Sequence, residues 1–403
     1  MTEPNERSGP PARSERSEWS QRSEGSEPRA RSEHGTRTPH DHAGRRDRAR
    51  EAVVGRGAAH LLVTDPRNVR YLTGFTGSNG QVVIGPEPGD DLLITDARYD
   101  QRAEVEAPDL PRTLDRDPFG VTLPLVVDQA GPGGQLLVED HQLNWAAAGA
   151  ASDRATAQGL ELVGAGRLVE ALRLVKEPSE IDRIAAACDI TQRCLTWLFD
   201  EVVAIGRTER ELATLLERRF VDDGADGVAF PSIVASGPNS AIPHHEPTDR
   251  QLQAGDLLTI DCGALVDGYH ADHTRTVAIG HLDERLAEIH RIVQEAQAAG
   301  RAAVTAGTDA GAVDAAARSV IDDAGHGEAF VHGTGHGVGL AVHEDPTVGR
   351  GATATLLPGI VLTVEPGLYL PGLGGVRIED TLVVTADGPA RAFTDTPREL
   401  RVL

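Results

Sequence analysis

Carboxylates at the ends of apolar, strand-like runs constrain this chain more than any other feature. Asp261 follows Leu257-Leu258-Thr259-Ile260, and Glu365 follows Val361-Leu362-Thr363-Val364. Glu379 follows Val376-Arg377-Ile378, and Asp272 opens the run 272–278. Acidic residues are poor strand formers, and burying one without a partner is costly. Four carboxylates in one core repel each other unless they share one cation or two. Histidines add nitrogen donors nearby. His336 stands among glycines in Gly335-His336-Gly337-Val338-Gly339, and His343 opens His343-Glu344-Asp345-Pro346. A mixed carboxylate–imidazole set suits Mn, Co, Fe or Zn better than Ca, which prefers oxygen alone.

The balance of charge agrees with cation binding and excludes other partners. With 39 Lys+Arg against 62 Asp+Glu, the formal charge is −23, which disfavours nucleic acid and anionic membranes. No run of about 18 apolar residues suggests a membrane span. Residues Met1 to Ser20 have no apolar segment of the secretory kind. Cys188, Cys194 and Cys262 make no disulfide framework and read as small buried apolar groups. These features fit a cytoplasmic protein. Lys176 is the only lysine among abundant arginine and reads as coding bias.

Residues 1–50, with repeated Arg-Ser-Glu, carry too little apolar surface to offset ordering and read as a disordered polar tail. From about Glu51 to 170, short apolar runs (His60–Thr64, Gln81–Ile84, Asp91–Thr95, Gln135–Val138, Leu160–Val163) alternate with helix-like stretches at 99–107 and 143–157. That alternation predicts an α/β domain. Residues 171–403 read as a separate α+β domain. It opens with Pro178-Ser179 before a three-and-four apolar spacing, and Thr208-x-x-Glu211 forms a capping box. Further helices are expected at 283–300 and 308–324, and strands at 257–261, 272–278, 361–365 and 376–385.

Five motifs now stand in order: Ile260-Asp261-Cys262-Gly263, Asp272-His273-Thr274-Arg275-Thr276, Gly335–Gly339, Thr363-Val364-Glu365-Pro366-Gly367 and Val376-Arg377-Ile378-Glu379-Asp380. Asp272 lies 11 positions after Asp261, and Glu379 lies 14 positions after Glu365. Residues 170 to 403 thereby resemble the pita-bread metallopeptidases, which include aminopeptidase P, prolidase and methionine aminopeptidase. The stretch Asn68–Ser78 resembles the creatinase-type amino-terminal domain of the proline-directed members.

The resemblance implies a dinuclear metal centre, Mn(II) first, with Co(II) or Zn(II) possible. Asp261 would chelate one metal, Asp272 and Glu379 would bridge both, and His336 and Glu365 would complete the second site. His244, in Pro243-His244-His245, matches the family's substrate-binding histidine, and His343 matches its second one. Glu365, His244 and His343 are thus the implied catalytic residues. Arg377 is expected to support the carboxylates and the substrate. His245, His270, His273 and His332 are not assigned to the site, and His40, His42 and His60 read as surface residues. The implied reaction is hydrolysis of the Xaa-Pro bond at a peptide N-terminus, by an Xaa-Pro aminopeptidase acting as a homodimer on proline-containing peptides. Alternatives are an Xaa-Pro dipeptidase, a non-catalytic pita-bread binding module, or metal-independent creatinase, which lacks the full ligand set.

Overall fold

Helix α1 (His42–Val54) packs its arginines inward. This corrects the tail expected to residue 50. The structure, a computed structural model, describes residues 38–403, and the remainder of that expectation lies outside the described residues. Polar composition hid the helix because its inner face is ionic. Arg45 Nη2 donates to Glu177 at 2.8 Å, while Arg46 and Arg50 both bind the buried Asp91.

The amino-terminal domain is a six-stranded sheet in the order β4-β3-β2-β1-β5-β6. Its strands are β1 (His60–Val63), β2 (Gly80–Ile84), β3 (Leu92–Thr95), β4 (Arg112–Leu114), β5 (Gln135–Val138) and β6 (Glu161–Gly164). β1 pairs parallel with β5 and antiparallel with β2. Alternate residues feed two different cores: Leu61 and Val63 on one face, Leu62 and Val83 on the other. Sheets covered on both faces read as continuous apolar runs, as these strands do. His60 is completely buried in β1 against Gln129, not at the surface. The helices are α2 (Pro66–Thr73), α3 (Asp100–Glu106), α4 (Pro118–Ala130), α5 (Trp145–Ala157) and α6 (Leu168–Arg173). In α2, Asp65 caps the amides of Arg67 and Asn68, Pro66 opens the helix, and Gly74 closes it at φ 81°.

The expected capping box forms at α8 (Glu209–Asp222), and a second, Glu177 with Glu180, opens α7 (Pro178–Trp197). The catalytic-side strands are β7 (Gly227–Val228), β8 (Ile233–Ser236), β9 (Leu257–Cys262), β10 (Ala264–Val266), β11 (Tyr269–His270) and β12 (His273–Ala278). They form the sheets β12-β9-β8 and β11-β10-β7. After α9 (Glu284–Ala303) and α10 (Ala310–Asp323) come β13 (Gly335–Gly337), β14 (Glu344–Val348), β15 (Val361–Val364), β16 (Gly367–Leu370), β17 (Gly374–Arg377), β18 (Asp380–Val383) and β19 (Arg391–Ala392). The single strand expected over 376–385 is two strands in different sheets, β17 with β16 and β18 with β15. Ile378 and Glu379 form the joint. A carboxylate sits more readily at such a break than inside a ladder. Among the described residues no helix is long and apolar enough to cross a membrane.

Candidate active site

Each acidic side chain singled out in the sequence sits on or beside a strand end, and the ends converge. Asp261 lies near the end of β9, Asp272 just before β12, Glu365 just after β15, and Glu379 between β17 and β18. Donor atoms of Asp261, Asp272 and Glu379 lie within 4.8 Å of one another. So do those of His336, Glu365 and Glu379, and those of Asp272, His336 and His343. His336 Nε2 is 3.5 Å from Asp272 Oδ2 and 3.2 Å from Glu365 Oε1.

Local backbone fixes these positions. Glu365 N–H donates to Thr334 O at 2.7 Å, and Glu379 N–H donates to Thr274 O at 3.1 Å. His336 Nδ1 donates to the Gly337 carbonyl at 3.0 Å, which aims Nε2 at the carboxylates, where it donates to Glu365 when protonated and offers a lone pair to a cation when neutral. The flanking glycines are required by close approach. A Cβ on Gly335 would lie 2.0 Å from Thr363 O, and one on Gly337 would lie 2.1 Å from Asp345 O. Asp380, adjacent to Glu379, turns away to bind Arg275 at 2.9 Å and stays out of the cluster.

Protein groups alone leave this cluster unbalanced. Asp261 Oδ1 and Glu379 Oε1 are buried without a hydrogen-bond partner. Burial, then the neighbouring carboxylates, push Asp272 and Glu379 well above the usual carboxylate range. For Glu365, burial opposes ionisation, but the hydrogen bond and charge of His336 outweigh it and hold the carboxyl low. Orphaned oxygens, mutual repulsion and an imidazole nitrogen aimed at the carboxylates make a donor set that fits divalent cations.

Arg377, the expected supporting donor, is buried and gives Nη2 to Asp261 Oδ2 at 2.7 Å and Nη1 to Tyr369 Oη at 2.9 Å. Tyr369 then donates to His332 Nε2 at 2.9 Å, since His332 Nδ1 donates to Gly333 O. His332 was left out of the site by sequence but lines the cleft. His343 is exposed, its ring 4.3 Å from that of His336. Burial, then His336, lower its pKa. His244 is exposed and lines the same cleft. His270 bonds Gly339 O, and His273 faces Thr394, both away from the cluster. The cleft is about 500 Å³, with Phe230, Pro231, Pro243 and Pro247 in its walls.

Two groups that the sequence reading missed hold this cleft together. Glu209, 0% exposed, accepts six hydrogen bonds: from Ser236 N and Oγ, Asn239 Nδ2, His245 Nε2, and Thr248 N and Oγ1. It thereby pins the loop that carries His244. The sequence signal was a second acid inside the capping box at Thr208. Burial raises the Glu209 pKa, but Thr248, His245, Ser236 and Asn239 outweigh it and hold the carboxyl at about 2, against 4.5 when free. A depressed folded pKa stabilises above 4.5, and that contribution is lost as pH falls toward 2. The gap is worth roughly 3 kcal/mol. Urea denaturation at pH 6 should therefore find Glu209→Gln less stable by a margin that shrinks at pH 3.5; a pH-independent margin contradicts it. The second group is Glu344, beside His343. It binds Lys176 Nζ at 2.7 Å and Arg173, and Arg173 Nη1 reaches Asn68 at 2.7 Å. This buried chain ties the catalytic strand β14 to the amino-terminal domain.

A pita-bread fold carrying this donor set in a peptide-sized cleft, behind a creatinase-type domain, defines a metallopeptidase. The chain belongs to metallopeptidase family M24: residues 182–386 match that family, and residues 45–175 match the creatinase/prolidase N-terminal domain. It is 42% identical over 233 residues to an Xaa-Pro dipeptidase of Pyrococcus furiosus, covering 58% of this chain and 66% of that protein. The structure of an Xaa-Pro dipeptidase from Bacillus anthracis is similar, with TM-score 0.84 and 35% identity over 90% of this chain and 100% of the other. An X-Pro aminopeptidase from Thermotoga maritima gives TM-score 0.81 and 34% identity over 89% and 99%.

Proposed function

We propose that this chain hydrolyses the Xaa-Pro bond of short peptides, with Xaa-Pro dipeptides foremost. The observation that carries the reading is the convergence of Asp261, Asp272, His336, Glu365 and Glu379 in one cleft. Sequence put the aminopeptidase first, but relatives named as Xaa-Pro dipeptidases back the dipeptidase better. The five residues would hold two divalent cations, Mn(II) ahead of Co(II) and Zn(II), which supply Lewis acidity and a water that ionises near neutral pH. Glu365 takes the proton from the attacking water and returns it to the proline nitrogen. His343 donates to the developing oxyanion, and His244 orients the peptide from the cleft lining. The X-Pro nitrogen has no N–H to recognise, so the apolar wall of Phe230, Pro231 and Pro243 selects the ring by shape. Arg377 holds Asp261 in register.

One observation favours the aminopeptidase as a second reading. A dipeptidase must hold a free carboxylate next to proline. Among the described residues lining the cleft, Arg377 is the only arginine or lysine, and its donors already go to Asp261, Tyr369, Thr274 and Pro243. We read the protein as a cytoplasmic homodimer. Trp145, 94% exposed at the start of α5, is the kind of aromatic anchor an interface uses. Hydrolysis of Xaa-Pro and Xaa-Pro-Yaa-Zaa with added Mn(II) tests the proposal. Release of the first residue from either is expected, with the dipeptide the better substrate. Metal-loaded protein that releases nothing overturns it.

A further inference from the structure

The segment Pro243-His244-His245-Glu246-Pro247 brings a charged side chain into the cleft beside His244. The carboxylates of the cleft wall are Glu246, Asp261, Asp272 and Glu365. The last three belong to the groups whose donor atoms converge, and Glu246 belongs to none of them. Its side chain is exposed, and among the described residues no hydrogen bond or ion pair holds it. Its backbone, by contrast, is anchored on both sides. Arg377 Nη1 donates to Pro243 O at 3.2 Å. His245 Nε2 donates to the buried Glu209 at 2.9 Å, and Thr248 N and Oγ1 donate to it at 3.0 and 2.6 Å. Arg377 also binds Asp261, so the segment is keyed to the metal-ligand cluster.

An unpaired carboxylate on an anchored loop, open to the cleft, is a counter-charge for a substrate. Arg377 is buried with its donors taken, so no arginine or lysine of the lining competes for Glu246. A dipeptide Xaa-Pro carries one variable charge. Proline is an uncharged ring and the α-amine is common to every substrate, so only the Xaa side chain differs. Lys and Arg carry their cation on a long stem that packs along apolar surface. The cleft offers such surface in Phe230, Ile233 and Val342. We infer that Glu246 is a specificity-determining carboxylate for a cationic Xaa side chain, which makes Lys-Pro and Arg-Pro the favoured class of substrate. The inference rests on the reading of the chain as an Xaa-Pro peptidase and adds to it the charge of the first residue.

Lys-Pro and norleucine-Pro test it, since the two are close in length and differ in charge. Wild type should favour Lys-Pro by about fivefold in kcat/KM, the upper worth of an ion pair on an exposed carboxylate. That ratio should shrink toward one in roughly 1 M salt, which screens exposed charges beyond about 3 Å. Glu246→Gln should bring the ratio near one through KM and leave norleucine-Pro unchanged. Glu246→Lys should invert it and favour Glu-Pro over Gln-Pro. The inference falls if Glu246→Gln keeps the wild-type ratio, or if it slows norleucine-Pro as much as Lys-Pro. It also falls if Glu246→Gln spares Lys-Pro and instead weakens Ala-Pro-Lys against Ala-Pro-norleucine, which would place the contact after proline. If wild type hydrolyses none of these peptides, the peptidase reading fails. Calorimetric affinity of metal-loaded Glu365→Gln protein for Lys-Pro against norleucine-Pro, with and without Glu246→Gln, still decides the role of Glu246.

Discussion

Glu365→Gln should leave a folded, metal-loaded protein whose kcat is lower by about a thousandfold, within the range set by loss of a general base. The substitution keeps shape and a ligand oxygen. The backbone at 365 stays bonded to Thr334 O, and Thr363 Oγ1 still has a carbonyl-type acceptor in place of Glu365 Oε1, now 3.3 Å away. What disappears is the charge that pairs with His336 at 3.2 Å and the group able to carry a proton from water to the leaving nitrogen. KM should move little, because Glu365 is assigned to the transition state and not to the proline pocket. Circular dichroism and elemental analysis establish fold and metal content alongside the kinetics. A folded, loaded variant with turnover within tenfold of wild type removes Glu365 from its role.

Chelation should have the other large effect. Asp261, Asp272 and Glu379 bring ligand atoms within 4.8 Å of one another. At an effective dielectric near 20, each ionised pair at that distance repels by about 3 kcal/mol. Arg377 neutralises one side of Asp261 only. Cations that bind the folded chain a thousandfold above their dissociation constant add about 4 kcal/mol. Stripping the metal should therefore abolish hydrolysis and lower Tm by several degrees, and Mn(II) should restore both. Metal-stripped protein that keeps its activity and Tm would show that the carboxylates balance without a cation.

Local chemistry explains which parts were legible in the sequence. Asp261 and Glu365 stand out because an acid after a strand-forming run of three aliphatic residues and a threonine contradicts strand propensity, and only a shared function reconciles them. Thr208 and Glu211 are legible because a capping box lies within one turn. Arg45, Arg46 and Arg50 were not, since their helix looks like polar tail until Glu177 and Asp91, far along the chain, are placed against it. His332 stayed out of the site because its partner, Tyr369, is 37 residues away. The break at Ile378-Glu379 has no Gly or Pro to announce it, as β17 and β18 are parted by the sheets they join. Pairings between distant residues leave no periodicity to read.

Lys176, set down to coding bias in the sequence, has a practical consequence. Its side chain is 1% exposed against Glu344, and its backbone N–H is bound to Gly359 O at 3.0 Å. A lysine-specific endoprotease thus has one bond to cut in all 403 residues, and the folded junction shields it. Cleavage there makes two fragments in a single event, so the rate at which they accumulate is a direct clock for local opening of the junction around Lys176.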